Sequence, residues 1–158
     1  VLVRLEAITI DMQPMSPAVV AFRALHERGC FVLPNPWDIG SAVYLERLGF
    51  KALATTSSGF AFSRGLPDLP AAMARDAMLA HVAEIAGATS LPVNADFLNG
   101  YADDPTGVAV NVTACVATGT AGISIEDSTG DDAAPLYDRA LAVERDLGRT
   151  LPVGAHAP

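Results

Sequence analysis

The chain has 158 residues, of which 51% are hydrophobic and 18% charged, and a formal net charge of −8. That is one domain of ordinary size with enough apolar content for a packed core, which excludes a disordered chain. The acidic balance and the singly scattered Lys and Arg residues exclude a reader of nucleic-acid phosphates, and no apolar run reaches the roughly 18 residues of a membrane-spanning helix.

The opening stretch, VLVRLEAITIDMQP, has neither the cationic start and long apolar centre of a signal peptide nor a helical or strand pattern. Residues 1–14 are therefore expected to be an irregular extension, with the domain over 15–158. From Ser16 the chain alternates. SPAVVAFRALHERG has a Ser N-cap, Pro at the first helical position, apolar Val19, Phe22 and Leu25, and Gly29 to end it. CFVLPNPW is a short apolar run closed by prolines and predicts a buried strand. DIGSAVYLERLGF predicts a helix with Ile39, Ala42, Leu45 and Leu48 inward, and KALATTSS a second strand that turns polar at its end.

The Gly- and Pro-punctuated GFAFSRGLPDLP is followed by a predicted helix over 71–86, with Met73, Ala77, Ala80 and Ile85 on its inner face. LPVNAD is the third strand, PTGVAVNVTACVATG a crossover helix and AGISIED the fourth strand. PLYDRALAVERDLGR reads as a helix with Leu136, Ala140 and Val143 inward, and LPVGAHAP as the opening of a fifth strand. Strands alternating with amphipathic helices mean right-handed βαβ units and a parallel sheet. A complete (β/α)8 barrel needs at least ~200 residues. The pattern thus predicts either an open α/β sheet or an incomplete TIM-type barrel of about five strands.

Either architecture binds ligands at the carboxyl ends of its strands, and the polar residues collect there. Asn35, Trp37 and Asp38 follow the first strand, and Thr55, Thr56, Ser57, Ser58 and Gly59 the second, with Asp68 in the next loop. Asn94 and Asp96 end the third strand, Glu126 and Asp127 the fourth, and His156 lies in the fifth. Asp68, Asp96 and Glu126 offer hard carboxylate oxygens from separate segments, a set that suits Mg2+ better than zinc. The TTSSG run offers hydroxyls and backbone amides that can cradle a carboxylate or an oxyanion. Asp38 and Asp68 also fit the role of N-caps, and Trp37 either lines a pocket or caps the core.

Nucleotide-binding, zinc-protease and nucleophile-elbow motifs are absent from the sequence. His26 and His81 fall inside predicted helices, as partly exposed residues. Cys30 and Cys115 have no metal or redox spacing and read as buried small hydrophobes of a reducing cytosol, so a cytoplasmic location is expected.

Taken together, LPNPWDIGSAVYLERLGFKALATTSSG with GLPD, PVNADFLNGY and GISIEDS resembles the isocitrate lyase / phosphoenolpyruvate mutase superfamily, in its phosphonomutase-like branch, over about residues 20–145. The resemblance implies a Mg2+-dependent enzyme on a (β/α)8 barrel that makes or breaks a C–C or P–C bond beside an α-keto or 2-hydroxy carboxylate, through an enolate-like species. It further implies Asp96 and Glu126 as metal ligands, with Asp68 and Thr56 as catalytic candidates. Trp37, Thr56, Ser57, Ser58, Asn94 and His156 are its substrate-binding candidates.

The sequence departs from the family pattern in three places. Asn94 stands where a carboxylate is usual, STGDDAAPLYD has no Lys, Cys or His, and His156 replaces an Arg. A C-terminally truncated, catalytically inactive member that binds or self-associates is the alternative, and an unrelated open sheet that binds a small anion is a third reading. A barrel ending at its fifth strand exposes a parallel edge, which predicts homo-oligomers.

Overall fold

The structure, a computed structural model, describes residues 15–150. Helix α1 (Pro17–Leu25) begins where Ser16 Oγ accepts the Val19 amide at 3.3 Å, with Pro17 as its first residue. Helix α2 (Ile39–Arg47) is capped by Asp38, which accepts from the Ser41 amide at 2.6 Å while Ser41 Oγ accepts the Asp38 amide at 3.2 Å. The N-cap reading of Asp38 is the right one.

Three strands, β1 (Leu53–Ala54), β2 (Val93–Asp96) and β3 (Gly122–Ser124), form a parallel sheet in that order. The alternating α/β reading holds, but among the described residues only three of the four strands expected there are present. The predicted strand over 30–37 is not one. It runs beside β1 with a single backbone bond, from the Ala54 amide to Pro34 O at 3.0 Å, because Pro34 and Pro36 have no N–H to continue a ladder. The predicted fifth strand with His156, and the N-terminal extension over 1–14, lie outside the described residues.

Between β1 and β2 the chain forms helix α3 (Ser57–Ser63), across the expected polar strand end and the Gly- and Pro-punctuated stretch after it, and helix α4 (Arg75–Ala88). Helix α4 starts four residues later than predicted, after turns closed onto Leu69 O by Ala72 and Met73. Its buried face is Met78, His81, Val82 and Ile85, while Ala77 and Ala80 are exposed. His81 is therefore buried rather than partly exposed: its ring stacks on Phe60 with centroids 4.0 Å apart.

Helix α5 (Pro105–Val116) is capped by Asp104 and buries Val108, Val112 and Cys115 against the core. Burial pushes the Cys115 thiol up to about 12, so it packs as a small hydrophobe; Cys30, by contrast, is exposed. Helix α6 (Arg139–Thr150) packs on α5, yet Leu136 and Val143, expected inside, are exposed. The most buried side chain of its described turns is Arg145, at 2% exposure.

The strands alternate as a half-buried sheet must. Val93, Ala95 and Phe97 enter two apolar clusters beneath the helices, and Asn94 and Asp96 take the opposite face. On that opposite face α1 supplies a plug. A Cβ at Gly122 would lie 2.6 Å from Phe22 Cε1 and 2.7 Å from Asn94 Oδ1. Gly122→Ala should therefore force Phe22 or the strand register to shift, lowering stability by about 1–3 kcal/mol in urea unfolding. An unchanged midpoint would show that the Phe22 ring is not held there.

Candidate functional site

The carboxyl ends of β1 and β2 are tied by two hydrogen bonds. Asp96 Oδ2 accepts the Ser57 amide at 2.8 Å, and the Asp96 amide donates to Thr55 Oγ1 at 2.9 Å. The first amide of α3 thus holds a carboxylate of the chain itself, as the positive end of a helix favours. Thr56 is the N-cap of α3: its Oγ1 accepts the Gly59 amide at 3.1 Å and lies 3.1 Å from Ser58 Oγ. Ser57 is buried, and Ser58 is half-buried.

Asn94 lies two residues before Asp96, on the same face, and donates through Nδ2 to Ser124 Oγ at 2.8 Å. Glu126 lies two residues beyond Ser124, and its amide donates to Leu98 O at 2.8 Å. Pro70 Cδ would be 3.8 Å from a Cβ on Gly130, in the loop that follows Glu126.

These placements bring Asp96 and Asp68 within electrostatic reach of Glu126. Partial burial and then the charges of Asp96 and Asp68 hold the Glu126 carboxyl above the usual carboxylate range. Among the described residues no Lys, Arg or His is ion-paired with any of the three. Asp68 Oδ1 is buried and has no hydrogen-bond partner.

Tyr101 is a site residue that the sequence reading missed. Its hydroxyl is also buried without a partner. Burial first, then the charges of Asp96 and Asp68, hold this phenol well above its ordinary value, so it remains a donor at neutral pH. The available signal was the NGY turn after the third strand: Leu98 (φ 47°), Gly100 (φ 77°) and Tyr101 (φ 58°) are all left-handed. Two of these are not glycine, and each such residue costs about 1 kcal/mol or more unless its surroundings impose it.

Trp37 is half-exposed and packs its Cβ near Gly59 in the first turn of α3. It lines a cleft of about 300 Å3 with Asp38, Arg64, His81 and Glu84, apart from the acidic group. Burial lowers the His81 pKa there, with Glu84 opposing.

The donor set of the acidic group is all oxygen. Among the described residues no three His, Cys, Asp or Glu side chains are gathered closely enough to cage a metal ion. Mg2+ does not require such a cage, since it keeps several waters and takes one or two carboxylates. A buried, unpartnered carboxylate oxygen beside two further acids fits that cation.

The sequence profile of the phosphoenolpyruvate phosphomutase family matches residues 22–146. An uncharacterized protein of Mycobacterium tuberculosis is 41% identical over 127 residues, which cover 80% of this chain and 46% of that protein. Among solved structures, a provisionally assigned lyase/mutase from Burkholderia cenocepacia J2315 superposes with a TM-score of 0.80 at 48% identity, covering 85% of this chain and 50% of that one. The PEP mutase/isocitrate lyase superfamily member 2,3-dimethylmalate lyase superposes with a TM-score of 0.75 at 29% identity, covering 87% and 48%. The chain thus spans about half the length of the relatives it matches. Family profile, relatives and strand-end acids agree, and the chain belongs to the phosphoenolpyruvate phosphomutase family of the PEP mutase/isocitrate lyase superfamily.

Proposed function

We propose that this chain supplies the metal-binding half of a lyase or phosphonomutase-type site acting on a small α-keto or 2-hydroxy carboxylate. The observation that supports the reading is the buried Asp68 Oδ1 left without a partner, with the charges of Asp96 and Asp68 felt at Glu126. Asp96 and Glu126 are the residues that would hold Mg2+, directly or through its waters, with Asp68 beside them. Held there, Mg2+ would supply positive charge against a substrate carboxylate and the negative charge that develops as the C–C or P–C bond breaks.

The chain's own groups have distinct tasks in this reading. The Ser57 amide orients the Asp96 carboxylate, while the Thr56 and Ser58 hydroxyls border the substrate end of β1. Asn94 keeps a neutral side chain beside Ser124 where a further carboxylate would add repulsion. Tyr101 presents a protonated phenol to the acidic group.

Titration with Mg2+ in the presence of oxalate, a planar mimic of the pyruvate enolate, tests the proposal by calorimetry. Wild type should bind the pair, and Asp96→Asn should weaken binding at least tenfold. Absence of heat in the wild type would remove the metal reading.

The raised carboxyl of Glu126 has a consequence for stability. A carboxylate whose folded pKa lies above its unfolded value destabilises the fold once ionised, and that cost disappears below the ordinary Glu value of about 4.3. Metal-free Glu126→Gln should thus melt above the wild type at pH 7, with the gain lost on descending below pH ~4. An equal or lower melting temperature at pH 7 would contradict the action of the Asp96 and Asp68 charges on Glu126.

A second observation favours self-association. On one side β3 pairs with β2, and no strand among the described residues pairs with its other side. Beside it lies an apolar cleft of about 310 Å3 lined by Val19, Val112, Val116 and Ile123. Exposed apolar surface of this kind favours pairing between chains. Sedimentation should therefore show dimers or larger species at micromolar concentration, and a monomer at all concentrations would refute this.

A further inference from the structure

The loop after β2 is held by an unusual set of donors. Every backbone carbonyl from Leu98 to Asp103 accepts a hydrogen bond from outside the loop. Leu98 O takes the Glu126 amide, and Gly100 O and Tyr101 O take Asn111 Nδ2 at 2.9 and 3.1 Å. The other three belong to one side chain. Arg145 donates through Nη2 to Asn99 O at 2.5 Å and through Nη1 to Ala102 O at 2.6 Å and Asp103 O at 3.1 Å.

The guanidinium is itself fixed. It lies 3.8 Å from the centre of the Tyr137 ring, whose hydroxyl donates to Asp103 Oδ1 and accepts from Asn99 Nδ2. The Tyr137 amide in turn donates to Asp127 O, beside Glu126. A buried arginine is costly unless its donors are satisfied, and here the carbonyls of the left-handed turn satisfy it.

We propose that Arg145 is a positioning residue of the site: by gathering the carbonyls of Asn99, Ala102 and Asp103 it imposes the turn that carries Tyr101 and, through Leu98 O, holds the Glu126 backbone. Its effect on ligand binding rests on the metal and oxo-acid reading above, whereas its hold on the loop does not. Lysine at this position keeps the charge but lacks the planar fork that reaches several carbonyls together.

The test compares Arg145→Lys and Arg145→Met with Val112→Ala, a core variant on α5 that lowers stability without touching the loop carbonyls. Amide hydrogen exchange of the metal-free proteins is read at Gly100, Tyr101 and Glu126, at temperatures matched to each melting point. Protection there should fall at least tenfold in Arg145→Met, less in Arg145→Lys, and no more than the global average in Val112→Ala. Mg2+ and oxalate affinity should fall at least tenfold in Arg145→Met and stay within twofold in Val112→Ala.

Loss of loop protection no greater than in Val112→Ala would overturn the proposal. So would a freed loop with unchanged ligand affinity. If wild type binds no Mg2+ and oxalate, the functional reading falls, and the exchange comparison alone decides whether Arg145 holds the turn.

Discussion

Everything at the carboxyl end of the sheet depends on the register between β1 and β2. With Ala54 opposite Asn94, the chain beyond the pairing delivers the Ser57 amide to Asp96 Oδ2 and Thr55 Oγ1 to the Asp96 amide. A slip of one residue would turn Asp96 into the apolar layer, and Val93, Ala95 and Phe97 onto the polar face. Burial of that apolar layer under α4 and α5 therefore specifies where the carboxylate stands.

The second dependency is electrostatic. The charges of Asp96 and Asp68 act on Glu126 and on the phenol of Tyr101, and among the described residues none of the three acids is ion-paired with a cationic side chain. Such an arrangement is unfavourable in an empty protein. It becomes favourable when a divalent cation supplies the missing charge, which is the physical ground of the proposed chemistry. The left-handed turn at Leu98–Tyr101 adds a further local cost that Asn111 and Arg145 offset from two different helices. Function-related strain of this kind persists only when the surroundings over-determine it.

Much of the fold was legible because it follows from local rules. Ser16–Pro17, Asp38–Ser41 and Asp104–Pro105 mark helix starts by their own hydrogen bonds, and VNAD and GIS are strands bounded by turn residues. The missed strand over 30–37 has a local cause in its prolines, whereas the misses in the helices depend on groups far away in the chain. Helix α3 forms across the expected polar strand end, because Thr56 caps it and Phe60 and Ala61 find a buried partner surface. The inner face of α4 is offset by one residue from the apolar pattern, since stacking on Phe60 takes His81 inward. Helix α6 turns Val143 outward and Arg145 inward because the unpaired carbonyls of a loop some forty residues earlier are there to receive it.

The sequence by itself determined the parallel α/β architecture and the placement of Asp96 and Glu126 at strand ends. Both follow from short-range periodicity joined to the rule that right-handed crossovers bring successive strand ends to one face. Only the tertiary structure decided that Ser57 spends its amide on Asp96, that Asp68 Oδ1 is buried without a partner, and that Tyr101 is presented by a turn which Arg145 holds. The physical reason is that apolar periodicity reports how much surface a residue hides, whereas the matching of one donor to one distant acceptor exists only once the chain has folded.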